Sequence, residues 1–174
     1  MSDPAPAAHT TPILIIGLGN PILGDDGVGW RVAEEVNTFL QKDPEGSKLP
    51  QLEIDTLSVG GLGLMERMVG YDHVILIDAM LTGEAEPGTV TKHHLNDLPN
   101  RAWGHLTSSH DTTLQNALEV GRRMDSHIPE CIQIIAIEAE NKFVFSEDLS
   151  PPVANAVPLA VKEVLKLLHK LPGP

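Results

Sequence analysis

The chain has 174 residues, 41% of them hydrophobic, enough for one well-packed domain, and it holds no apolar run long enough to span a bilayer. Twelve basic residues face 24 acidic ones, for a formal net charge of -12, which disfavours nucleic-acid binding because phosphate contacts need Lys and Arg. The same charge favours cationic partners, either metal ions or basic protein segments, although most of these carboxylates are expected only to keep the surface soluble.

Residues 1–12 are rich in Ala and Pro and lack the basic start and apolar core of a secretory signal; a disordered tail is expected there, followed by a single domain over 13–171. Ile13-Leu14-Ile15-Ile16, ended by Gly17, predicts a strand buried on both faces. After the loop from Gly17 to Gly24, apolar residues at Val28, Val32, Val36, Phe39 and Leu40 predict a helix that Asp43-Pro44-Glu45-Gly46 stops, with Trp30 in its core-facing part. A strand over Leu52–Leu57, a short helix over Gly60–Val69 and a buried strand over His73–Asp78 repeat the pattern. Pro87-Gly88 leads into an edge strand over Thr89–His93. Ser108 and Asp111 form a capping box ahead of a helix with Leu114, Ala117, Leu118 and Met124 on its apolar face, which puts His110 in the first turn. Cys131–Ile137 is a further buried strand, and Ser150-Pro151 opens a closing helix that Pro158 should bend. The lone Cys131 excludes an internal disulfide, suits a reducing cytosol and is expected to be a core thiol.

Strands alternating with helices imply a mostly parallel sheet covered on both faces, and ligands in such sheets bind at the carboxyl ends of the strands. Three side chains qualify there. In Gly24-Asp25-Asp26-Gly27, one aspartate can cap the following helix. Capping is preferred for Asp25, while for Asp26, beside Gly27 and Gly29, a ligand role stands beside it. Asp78 closes an apolar strand, where a carboxylate needs a cation or several donors. His110 at a helix start stays neutral, the form that binds metals. Asp26, Asp78 and His110 together make an open transition-metal ligand set. His105, near Trp103, is the rival histidine; His93 and His94 point to opposite faces of their strand, and His9, His73, His127 and His169 lack a carboxylate-rich setting.

The segment Gly17-x-Gly19-Asn20-Pro21-Ile22-Leu23-Gly24-Asp25-Asp26-Gly27-x-Gly29 resembles the N-terminal signature of the hydrogenase maturation proteases. The resemblance continues through Gly60-Gly61, Ile77-Asp78-Ala79, Pro87-Gly88, Ser109-His110 and the closing helix. It implies a three-layer α/β/α sandwich of the phosphorylase/hydrolase-like kind, with a mostly parallel central sheet. It also implies an endopeptidase that removes the C-terminal extension of the nickel-iron hydrogenase large-subunit precursor once nickel is inserted. The nickel is then carried by the substrate, with no tightly bound organic cofactor, and neither nucleic acid nor membrane is a partner. By matching motif positions, the family's metal-contacting and catalytic residues fall on Asp26, Asp78 and His110, and Gly60 and Gly61 let a substrate tail approach. Many relatives carry Asp-Gly-Gly where this chain reads Ser58-Val59-Gly60-Gly61, so that aspartate has no counterpart here.

Two alternatives compete. Gly17-Leu18-Gly19-Asn20-Pro21 is also similar to the opening of the peptidyl-tRNA hydrolases, but no counterpart of their Arg-His-Asn segment follows, and the charge opposes tRNA docking. A nickel-dependent docking module that holds the hydrogenase subunit without cutting it would use the same three residues. A dinucleotide site is disfavoured because Ile22 stands where G-x-G-x-x-G needs its third glycine.

Overall fold

The opening apolar run forms β1 (Ile13–Leu18), with all six residues buried, because a strand covered on both faces has no solvent side to make polar. It runs through Gly17, which pairs with Thr56 and Ile77, and ends one residue later at Leu18. In this computed structural model, residues 12–42, 52–99, 113–140 and 145–171 are described. The sheet contains β1, β2 (Leu52–Leu57), β3 (His73–Met80), β4 (Val90–His94) and β5 (Cys131–Glu138), in the order β2-β1-β3-β5-β4. Neighbours among β2, β1, β3 and β5 run parallel; β4 is the expected edge strand and pairs antiparallel with β5, Val90 opposite Ile137.

Two pairs of helices cover the sheet. On one face, α1 (Val28–Lys42) and α4 (Pro151–Leu168) pack over Ile13, Ile15, Ile75, Ile77, Ile135 and Ile137. On the other, α2 (Gly61–Met68) and α3 (Leu114–Arg123) pack over Leu14, Ile16, Val74, Leu76, Ile132 and Ile134. Alternate residues of each central strand thus feed opposite cores, the period of two that a strand imposes. Helix α1 can lie close against the strand ends because of Gly29, where a Cβ would stand 2.2 Å from the Leu18 carbonyl oxygen and 2.4 Å from that of Ile77.

Several expected core positions are corrected. Phe39 is 49% exposed and Met124, at the end of α3, is 71% exposed; the buried stripe of α3 is Leu114, Ala117, Leu118 and Gly121. Trp30 and Cys131 are only half-buried. Trp30 instead donates its indole N–H to the Leu57 carbonyl at 3.1 Å, fastening α1 to the end of β2. Pro158 sits inside α4 on its exposed side, where the missing N–H leaves the buried stripe intact. At the far end of α2, the Arg67 guanidinium bonds Asp55 at 2.8 Å and Tyr71 at 3.2 Å and pairs with Glu53, tying α2 to β2. Among the described residues, no helix is long and apolar enough to cross a membrane.

Candidate active site

The loop after β1 is closed by its own backbone and by its neighbours. Gly19 takes a φ of 131°, and a Cβ there would meet the Asp26 carbonyl oxygen at 1.8 Å, so only glycine lets the loop fold back on the turn that follows. The Gly19 N–H donates to the Leu57 carbonyl at 3.1 Å, and the Ser58 hydroxyl donates to the Gly19 carbonyl at 2.7 Å. These bonds lash the loop to the end of β2.

Asp25 and Asp26 lie in a single 3₁₀ turn, Gly24–Gly27, immediately before α1. Their carboxylates diverge. Asp26 accepts the Asn20 N–H at 2.9 Å and so belongs to the loop. Asp25 does not cap α1 as its position suggests; it accepts the Ser150 N–H at 2.6 Å and the Ser150 hydroxyl at 2.8 Å, at the N-cap of α4. Gly24 and Ser146 extend this brace, with the Gly24 N–H donating to the Ser146 carbonyl at 2.7 Å. The cap of α1 expected of Asp25 is thus replaced by a bond to a partner 125 residues away.

Asp78 does not end its strand. Because β5 continues to Glu138, Ala79 and Met80 keep pairing with Ile137 and Glu138, and Asp78 lies within β3, opposite Ala136. It is 1% exposed and, two residues from Leu76 and Met80, shares the sheet face covered by α2 and α3. β1 and β3 are neighbours, and α1 starts in the notch between their ends, so the turn bearing Asp26 and the strand bearing Asp78 meet at the carboxyl edge.

His110 lies outside the described residues, as do Ser108, Asp111, Trp103 and His105. Helix α3 nevertheless corrects the expected capping box. It begins at Leu114, and its N-cap is Thr113, whose hydroxyl oxygen accepts the Asn116 N–H at 3.2 Å; the first turn therefore follows His110 rather than containing it. Among the described residues, no group of three or more His, Cys, Asp or Glu side chains could hold a metal ion, and the third expected ligand is not one of them. Gly60 caps α2 in an extended conformation, and Gly61, buried, has a φ of 51°.

Glu138 is a site-edge residue that sequence reasoning missed. It is 7% exposed, and its carboxylate accepts the Gly83 N–H at 2.7 Å and the Thr82 hydroxyl at 2.8 Å, pinning the connection that leaves β3 just after Asp78. The only signal was a glutamate closing the apolar run Ile134–Ile137. Beside the first loop, a cleft of about 170 Å³ is lined by Pro21, Ile22, Trp30, Glu34, Glu147 and Leu149 among others.

Comparison with known proteins identifies the family and the fold. The family model described as hydrogenase maturation protease matches residues 31–167. The hydrogenase expression/formation protein HupD of Rhizobium leguminosarum bv. viciae is 26% identical over 166 residues, covering 95% of this chain and 77% of that protein. The hydrogenase 2 maturation protease of Escherichia coli is 25% identical over 159 residues, covering 91% of each. Another relative, the coenzyme F420 hydrogenase subunit delta of Methanothermobacter thermautotrophicus, is 23% identical over 163 residues, covering 90% of this chain and 94% of that protein. The fold is shared with the hydrogenase maturating endopeptidase HybD of Escherichia coli at a TM-score of 0.68 and 23% identity, over 92% of this chain and 93% of that one. The chain therefore belongs to the hydrogenase maturation protease family and is a peptide hydrolase.

Proposed function

We propose that this protein is the endopeptidase that removes the C-terminal extension of a nickel-iron hydrogenase large-subunit precursor after nickel has been inserted. The observation that carries this reading, beside family membership, is the convergence of Asp26 and the buried Asp78 at the carboxyl edge of adjoining parallel strands. Hard carboxylate oxygens with one imidazole suit a borderline divalent metal that still keeps ligands from another protein. The nickel is then part of the substrate. Asp26, Asp78 and His110 contact it, and an ion held there can orient the tail and polarise the carbonyl to be cut. In this reading the backbone of the tail approaches at Gly60, which has no side chain and caps α2 ahead of the buried Gly61.

The test is mass spectrometry of a nickel-loaded large-subunit precursor incubated with the protein, with His110→Ala as control. The expected outcome is loss of a C-terminal peptide with the unmodified protein alone. Retention of the tail by both proteins would overturn the reading.

A second reading, a docking module that grips the subunit without cutting, is favoured by one specific observation: a relative of near-equal length is named a hydrogenase subunit. Stable co-elution with an uncut precursor would select it.

A further inference from the structure

We propose that the carboxyl edge of the sheet, outside the residues assigned to the metal, is a preformed docking surface for a cationic, apolar-studded face of the protein substrate. The inference rests on the proposed function only in taking a protein as the substrate. Ile22, Val59, Leu62, Leu81 and Phe145 are exposed by 49%, 44%, 42%, 40% and 85%. They come from four separate segments, which follow β1, β2, β3 and β5. Those four strands are parallel, so the segments leave the sheet at one edge. Single exposed apolar side chains are ordinary, but their convergence from distant parts of the chain around one site marks an interaction surface.

Charge identifies the occupant. The same connections carry Glu84, Glu86, Glu140, Glu147 and Asp148 in addition to the Asp25–Asp26 pair, and no Lys or Arg among their described residues. Glu84, Glu86, Glu147 and Asp148 are exposed. An edge whose described residues are predominantly acidic repels nucleic acid, an anionic bilayer and the same edge of a second copy, since each would bring negative charge against it. A protein face with Lys or Arg among apolar side chains complements it in both respects, with charge steering the encounter and apolar contacts holding it. The surface is also set before binding. Glu138 pins the connection after β3 through Thr82 and Gly83, and Asp25 pins the first loop through Ser150, so these two segments need little ordering on association.

Two variants test this away from the metal-contacting residues: Glu84→Lys with Glu86→Lys, and Leu81→Ser with Phe145→Ser. Each is measured for processing of the nickel-loaded precursor and, by titration calorimetry, for binding to it, at about 50 and about 300 mM salt, across which screening of exposed charges changes strongly. The expected result is KM and Kd raised about 10-fold or more in each variant with kcat within about two-fold, together with weaker binding of the unmodified protein at high salt. Unchanged Kd in both variants, or binding indifferent to salt, would overturn the proposal. Absence of any cleavage by the unmodified protein would instead overturn the endopeptidase reading, and the calorimetry would still decide the docking surface.

Discussion

At the carboxyl edge of the sheet the connections after β1, β3 and β5 carry acidic residues, whereas at the amino edge the helices run out in basic residues. Lys42 ends α1, Arg67 lies in the last turn of α2, Arg122 and Arg123 in that of α3, and Lys166 in that of α4. The difference follows from helix direction. In a parallel sheet every crossover helix turns its C-terminus toward the amino edge, where the aligned peptide dipoles favour cations. The amino edge therefore gathers groups that stabilise the fold. The carboxyl edge holds a buried carboxylate and a loop folded on glycine, and it is the edge to which the proposed chemistry is assigned.

Asp78→Asn bears on that contrast most directly. It keeps the volume of the buried side chain and removes its charge, so tail removal is expected to fall by about 100-fold or more with no loss of thermal stability. Undiminished processing, followed by mass spectrometry, would break the assignment of chemistry to this edge. Gly29→Val should show that the same edge is also held by packing. Its Cβ would press on the Leu18 and Ile77 carbonyl oxygens, and urea unfolding is expected to report a loss of about 1–3 kcal/mol. Asp25→Ala removes two bonds to the cap of α4 and is expected to cost about 1–2 kcal/mol in the same measurement, with processing kept within a few-fold. If processing instead disappeared, the ligand role would pass from Asp26 to Asp25. Arg67→Ala, toward the amino edge, is expected to cost about 1 kcal/mol or less, because its partner Glu53 is exposed and Asp55 half-buried, and to leave processing unchanged.

The parts of the fold that could be read from residues alone are those in which local pattern and burial coincide. Ile13–Ile16, Val74–Ile77 and Ile134–Ile137 are apolar without alternation and lie in the three central strands. The spacing of Val28, Val32 and Val36 gave the buried stripe of α1. Phe39 and Met124 fit a helical period too, yet the neighbouring helices do not reach them and they stay exposed. A period says which residues share a face, and only the packed neighbours say how far the cover extends.

The composition of the first loop and the aspartate after Ile77 were enough to single out Asp26 and Asp78, because an acidic residue beside a buried strand or a glycine turn is conspicuous in one dimension. Pairings between distant residues were not visible. Asp25 with Ser150 and Glu138 with Thr82 and Gly83 depend on strand order, which places β1, β3 and β5 side by side although long stretches of chain separate them. The same order extended β3 beyond Asp78, because β5 offered backbone partners for two more residues, and so turned an expected strand end into a buried carboxylate. Sequence by itself determined the elements and the candidate chemistry, since both follow from side chains close together along the chain. Tertiary structure decided which of those groups share an edge, because that depends on hydrogen bonding between strands that no local pattern encodes.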